Sequence, residues 1–250
     1  MMFQHRYRKK SQKDEGEKPF WISYADLMTA CMTLFLVVMA VTIVMLKKKY
    51  EQQDALDKAR EITISSCADD LRKIADTRFF GQARIDYNKG DAIRIDLGSI
   101  VKFDDGKHFI RPEASKFLRE YIPTVLQTVK NNECKQFFRR VMVEGYTSKT
   151  GDYMTNLRLS LERSKEVVCE LAKSEPDGTG GLTADEKNQV KSLFFVGGFS
   201  FNSQKKSDEE SRRAELKLEF WQVGDDMKRQ EEQNTELAEK SFGSCPTLIN

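Results

Sequence analysis

Charged and apolar positions are mixed at short range along most of this chain, and one stretch breaks that texture. From Phe20 to Leu46, 27 residues carry a single charge, Asp26. At about 1.5 Å of rise per residue the run makes roughly 40 Å of helix, enough to cross a ~30 Å hydrocarbon core with some tilt. Lys47, Lys48 and Lys49 end it as an interfacial stop. Its length, and the lack of a small-x-small cleavage pattern after it, separate it from a signal peptide.

The pattern changes after Tyr50. To about Arg78 it is helical and rich in charge, with Leu56, Ile62, Leu71 and Ile74 spaced through it. This predicts a linker helix or a coiled dimer stem, with spacing too irregular for a heptad repeat. AIRIDL then alternates apolar and polar, as a half-buried strand does. Pro112 opens a helix that runs to about Val129. FFRRVMVEGY predicts a second strand, Tyr153 to Lys173 a second helix, and LFFVGGFSF and AELKLEFW two more strands. The order βαβαββ predicts an α+β domain with helices packed on a mixed sheet, behind a single transmembrane α-helix. The expected divisions are a polar segment at 1–19, the membrane helix at 20–46, a stem at 47–88, the domain at 89–223 and a charged tail at 224–250.

Composition narrows the function. With 41 basic and 39 acidic residues the net charge is +2, which gives no case for nucleic acid as a partner. The two histidines, His5 and His108, have no metal spacing, and no nucleophile elbow or phosphate loop is present, so neither an enzyme nor a cofactor is expected. His108 falls in the first strand-to-helix loop and is expected at the surface. Cys31 lies in the apolar run, and Cys67, Cys134, Cys169 and Cys245 follow it without a C-x-x-C pair. Those four can form two disulfides if their part of the chain is exported, or stay as thiols; three pairings are open.

Asp26 is the costly residue. An ionised carboxylate in hydrocarbon costs at least ~2.5–3.5 kcal/mol on insertion scales, and this one sits about 9 Å inside if the helix starts at Phe20. Ser23, Asp26, Ala30 and Thr33 are spaced by three and four and share one face. Small residues there let another helix approach, so that the acid lies between helices. Two readings stand: a helix-start acid near the headgroups that complements the dipole, or an acid that binds and releases ions as they cross. A lone helix has no pore, so an ion path needs a partner subunit.

FWISYADLMTACMTLFLVVM resembles the membrane segment of the B subunits of rotary stator units, with Trp21, Tyr24, Ala25, Asp26 and Thr29 in matching places. That family includes subunits of flagellar motors and of the Zorya anti-phage defence system. The resemblance implies that Asp26 carries a proton or, less expectedly, sodium. It also implies a homodimer set within a ring of multi-span A subunits, five A to two B. A second resemblance covers roughly Ala92 to Phe220. VEGYTSKTGDYMTNLRLSLERSKEVV is similar to the core motif of OmpA-like peptidoglycan-binding domains, and IRIDLGSIVKFDDGKHFIRPEASKFL and SRRAELKLEF to their first and closing strands.

The domain resemblance implies a wall-peptide site at Thr147, Asn156, Leu159, Ser160 and Arg163. Arg163 would bind a diaminopimelate carboxylate, a contact suited to two parallel guanidinium hydrogen bonds. The sequence departs from the family where Ser148 replaces an aspartate that contacts the diaminopimelate amine; Asp152 is a substitute acid. Tyr153 stands three residues before Asn156, where the family has its aromatic adjacent. Together these imply a single-pass inner-membrane protein with a cytoplasmic N-terminus and a periplasmic domain. The short stretch between membrane segment and domain, and the exported cysteines, favour the Zorya type. A flagellar-type subunit and a passive OmpA-like wall tether remain as alternatives.

Overall fold

The computed structural model describes residues 18–88, 92–173, 182–225, 240–243 and 245. The N-terminal segment to Glu17, and the charged helix expected after Val223, lie outside or largely outside them. The chain divides into two compact units, residues 1–54 and 55–250. Helix α1, Lys18–Arg78, runs through the boundary as 61 residues without a break. It holds no glycine, and its one proline, Pro19, sits in the first turn, where the missing N–H removes no bond from the helical ladder. Among the described residues α1 is the one helix long and apolar enough to span a membrane. The hydroxyls of Thr29, Thr33 and Thr42 donate back to the carbonyls of Ala25, Ala30 and Met39, which removes them as unsatisfied groups on an apolar helix.

In the second unit α1 becomes a core helix. Arg60, Ile64, Cys67, Ala68, Leu71, Ala75 and Phe79 are buried at helical spacing. This differs from a linker or dimer stem. Leu56 and Ile62 are exposed, and the buried face mixes Ile64 and Leu71 with the small residues Cys67, Ala68 and Ala75, which the pattern of large apolar side chains passes over. The helix ends where Phe80 and Gly81 take positive φ and the Gly81 N–H bonds the Ala75 carbonyl, a left-handed stop. Beyond the stop lies β1 (Arg84–Asp86), an element that the sequence pattern does not announce.

The sheet contains β1, β2 (Ala92–Asp96), β3 (Phe138–Gly145), β4 (Phe194–Gly198) and β5 (Ala214–Phe220), in the order β1-β2-β5-β3-β4. All neighbours are antiparallel except β3 and β4. Alternation puts Ile93, Ile95, Val141, Val143, Leu216 and Leu218 on one face, where they join the core with α1, α2 (Pro112–Asn131) and α3 (Tyr153–Ala172). Phe79, just past the end of α1, meets Phe117 and Tyr121 of α2 edge-on, with centroids 5.7 and 4.9 Å away. The predicted strands and both long helices are present. Two further helices, α4 (Ala184–Leu193) and α5 (Asp208–Ser211), were not expected; α4 starts on a capping box between Thr183 and Glu186.

Of the three open pairings, the structure forms Cys67–Cys134 and Cys169–Cys245, with Cα atoms 6.1 and 5.6 Å apart. The first ties α1 to the α2–β3 junction. Cys31 is free.

The other face of the sheet is polar and paired. Glu144 and Glu215 lie opposite each other on β3 and β5, both buried. Arg94 reaches Glu144 at 2.7 Å and Glu215 at 3.6 Å, and the Tyr146 hydroxyl donates to Glu144 at 2.7 Å. Arg213 pairs with Glu215 at 2.6 Å. Two like charges set opposite each other would repel; here two guanidiniums and a phenol offset that.

Candidate functional site

On α1, Ser23, Asp26, Ala30 and Thr33 share a face, as their spacing requires. Within that face Thr33 donates to the Ala30 carbonyl at 2.9 Å. Asp26 has no hydrogen bond or ion pair among the described residues.

The second site is built where two strands end against α3. A Cβ on Gly145, the last residue of β3, would lie 2.0 Å from the Ser160 carbonyl oxygen. A Cβ on Gly198, at the end of β4, would meet the Leu161 side chain at 2.6 Å. Only glycine at both positions lets α3 sit this close to the strand ends, and the chain leaving β3 is thereby laid along the first turns of α3.

Thr147 and Ser148 are buried there. The Thr147 N–H donates to the Ser200 carbonyl at 2.9 Å, and its own carbonyl accepts from Gln204 Nε2 at 3.1 Å. The Thr147 hydroxyl is buried without a partner among the described residues. Asn156 closes the turn before α3, donating to the carbonyls of Thr150 at 2.8 Å and Asp152 at 3.0 Å. Ser160 is fully buried; its hydroxyl donates to the Leu157 carbonyl and accepts from the Ser200 N–H. Leu159 is half-buried outside the central core.

Asp152 serves as the N-cap of α3, accepting from the Thr155 N–H at 2.9 Å and its hydroxyl at 2.7 Å. Those bonds hold its carboxyl below the usual range.

Arg163 lies beneath the site. It is 0% exposed. Nε donates to the Lys107 carbonyl at 2.9 Å, one terminal nitrogen to Tyr146 at 2.8 Å and the other to Asp104 at 3.1 Å. Its guanidinium carbon is 5.0 Å from the Phe103 ring centre. Burial, helped by nearby Arg212 and opposed by Asp105, lowers its pKa to about 10, so it stays charged at neutral pH. Arg163 therefore joins the loop after β2 to the end of β3 and, in this structure, presents no surface to a ligand. His108, in that loop, is partly buried, with Nδ1 3.4 Å from Glu162.

Sequence reasoning missed Ser200. It is fully buried with φ of 52°, and it bonds to Thr147, Ser160 and Tyr153. A serine in a left-handed conformation leaves no trace in sequence pattern. The expected strand LFFVGGFSF ends at Gly198, so Ser200 and Phe201 lie in the loop after it.

Residues 5–59 match the family described as membrane MotB of the proton-channel complex MotA/MotB. The chain is 37% identical over 222 residues to the Zorya protein ZorB of Escherichia coli O139:H28, covering 87% of each. Among solved structures it is similar to a MotB-like protein from Desulfovibrio vulgaris, at 15% identity and TM-score 0.42, covering 68% of this chain and 99% of that one. It is also similar to the cell wall anchor of the T6SS from Pseudomonas aeruginosa, at 18% identity and TM-score 0.39, covering 60% and 96%. With an acid-bearing membrane helix, an α+β domain of the expected topology and a relative matched over nearly its whole length, the chain belongs to the ZorB family of MotB-like stator B subunits.

Proposed function

We propose that this chain is the ion-conducting, wall-anchored B subunit of a rotary stator-type complex of the inner membrane, acting in Zorya anti-phage defence. The observation that carries the reading is Asp26, one carboxylate in a 27-residue apolar run with no partner among the described residues. A charge in that setting costs enough that it is retained for a purpose. Its small-residue face suits close approach by helices of a multi-span A subunit and of a second copy, in the five-to-two arrangement of the family. Asp26 takes up an ion, a proton before sodium, on one side of the membrane and releases it on the other. One charge crossing 100 mV supplies about 2.3 kcal/mol.

The domain holds this helix against the wall. Its two disulfides support export to an oxidising compartment, and hence a cytoplasmic N-terminus and a periplasmic domain. Thr147, Asn156, Leu159 and Ser160 form the peptidoglycan site, with the unpartnered Thr147 hydroxyl as a donor to the wall peptide. Arg163 acts on that site by fixing the 104–107 loop, and it meets the peptide carboxylate where that loop gives way.

The test is protection against phage in cells carrying the whole system. Asp26→Asn should abolish protection while the protein keeps wild-type abundance and membrane insertion, and Asp26→Glu should retain part of it. Full protection by Asp26→Asn would leave a passive tether as the reading.

A further inference from the structure

The geometry points to a saccharide-binding platform at Tyr153 and Phe201, beside the proposed peptide site. The inference rests on the peptidoglycan reading and adds the part of the polymer that reading leaves out.

Tyr153 is the first residue of α3 and 46% exposed. Phe201 lies in the β4–α5 loop, and the two rings meet edge to face with centroids 5.8 Å apart. Next to them Met154 is 68% exposed. The pair comes from two distant parts of the chain, and what brings them together is Ser200. Its left-handed φ of 52° turns the loop so that successive aromatics part company. Phe199 stacks inward on Tyr146 at 5.5 Å, and Phe201 faces Tyr153.

A non-glycine residue in that conformation carries strain of about 1–3 kcal/mol and persists only where its surroundings hold it. Here the holding bonds go to the site: the Ser200 N–H to Ser160 Oγ at 3.1 Å, its hydroxyl to the Tyr153 carbonyl at 3.3 Å, and its carbonyl to the Thr147 N–H at 2.9 Å. Gln204 adds bonds to the carbonyls of Thr147 and Phe201. The strained turn thus sets an exposed ring, Tyr153, and a half-buried one, Phe201, at a fixed place relative to Thr147 and Ser160.

The chemistry of the patch fits a sugar. An aromatic face accepts the C–H face of a pyranose, and the exposed Asn202, Ser203 and Gln204 beside it offer amide and hydroxyl groups to sugar hydroxyls and N-acetyl groups. The apolar area is two rings and a methionine, far below the ~800 Å² per partner of a stable protein interface. In peptidoglycan the stem peptide is covalently attached to an amino sugar. A ligand seated by its peptide at Thr147 therefore brings an N-acetylated saccharide alongside.

Titration of the full-length protein in detergent with two probes tests this: a disaccharide-tetrapeptide, and the same tetrapeptide without sugars. The wild type should bind the disaccharide-peptide about fivefold to tenfold more tightly, the increment of one good stacking contact. Phe201→Ser and Tyr153→Ser should each lower that affinity to the level of the bare peptide, leaving peptide affinity within about twofold. Phe201→Tyr should keep the increment. Equal wild-type affinity for the two probes overturns the platform and leaves the peptide site standing. Loss of peptide affinity in both serine variants assigns the rings a structural role and also overturns it. Binding of neither probe by the wild type overturns both readings.

Discussion

Asp26 and Glu144 are both carboxylates away from the open surface of a folded domain, and the two regions treat them in opposite ways. In the membrane helix, Asp26 is surrounded along the chain by residues without charge and has no partner among the described residues. In the sheet, Glu144 is 2% exposed and fully engaged, by Arg94 and by the Tyr146 hydroxyl, each at 2.7 Å. Burial and the Glu144 bond push the Tyr146 phenol up, so it stays a donor at any physiological pH. A buried acid whose partners are supplied by its own fold is part of the structure. An acid in an apolar segment with no partner among the described residues is, on the proposed reading, met by another subunit or by an ion.

The sharpest way to break this comparison is to remove each charge and measure both activity and folding. Asp26→Asn should abolish phage protection while the melting temperature of the domain stays unchanged. The domain's self-sufficiency can be attacked next through its cross-links. Cys67 and Cys134 are 67 residues apart, and closing a loop of that size stabilises by about 4 kcal/mol in the chain-entropy picture. Cys67→Ser/Cys134→Ser, or reduction by a thiol reagent, should lower the melting temperature by about 10 °C. An unchanged melt would mean that α1 packs on the domain without needing the cross-link. Smaller again is Glu144→Gln. Arg94 is partly exposed and can rehydrate, so the expected loss in a denaturant titration is about 1–2 kcal/mol, with phage protection retained. Loss of protection by a well-folded Glu144→Gln would move that acid from structure to function.

The same contrast explains what was legible in the sequence. The membrane run and Asp26 are visible because solvent alone dictates their pattern. The strands at Ala92–Asp96 and Ala214–Phe220 are visible because one face is buried and the other wet, so side chains alternate. The lower half of α1 was harder to read. Cys67, Ala68 and Ala75 allow close packing because they are small, and small residues carry little hydrophobic signal. β1 has only three residues, too few to show a period. At the domain site the motif named Thr147, Asn156, Ser160 and Arg163 together, and the structure gathers them at the start of α3. It does not place Arg163 at the surface, since burial depends on the 104–107 loop folding over it. Ser200 and Gln204 could not be found from pattern, because they act through backbone geometry.

Asp96 lies between the two extremes and gives the smallest and most graded test. Burial alone would raise its carboxyl. The hydrogen bonds from Lys205 and the Gly98 N–H, with the charges of Lys205 and Arg213, outweigh that and hold it below its ordinary value. A carboxyl lowered in the folded state adds stability above its unfolded pKa of about 3.9, and that stability is lost as pH falls through the folded value. Lys205, 2.9 Å from Asp96, is over a third exposed, so solvent screens the pair and its worth is at most about 1 kcal/mol. Lys205→Met should therefore melt slightly below the wild type at neutral pH, with the full difference kept down to about pH 4 and closing below it. A difference of the same size at pH 2 and pH 7 would show that Lys205 contributes through packing of its stem. The polar face of the sheet would then be held by shape, and the contrast with the uncompensated charge at Asp26 would rest on Glu144 alone.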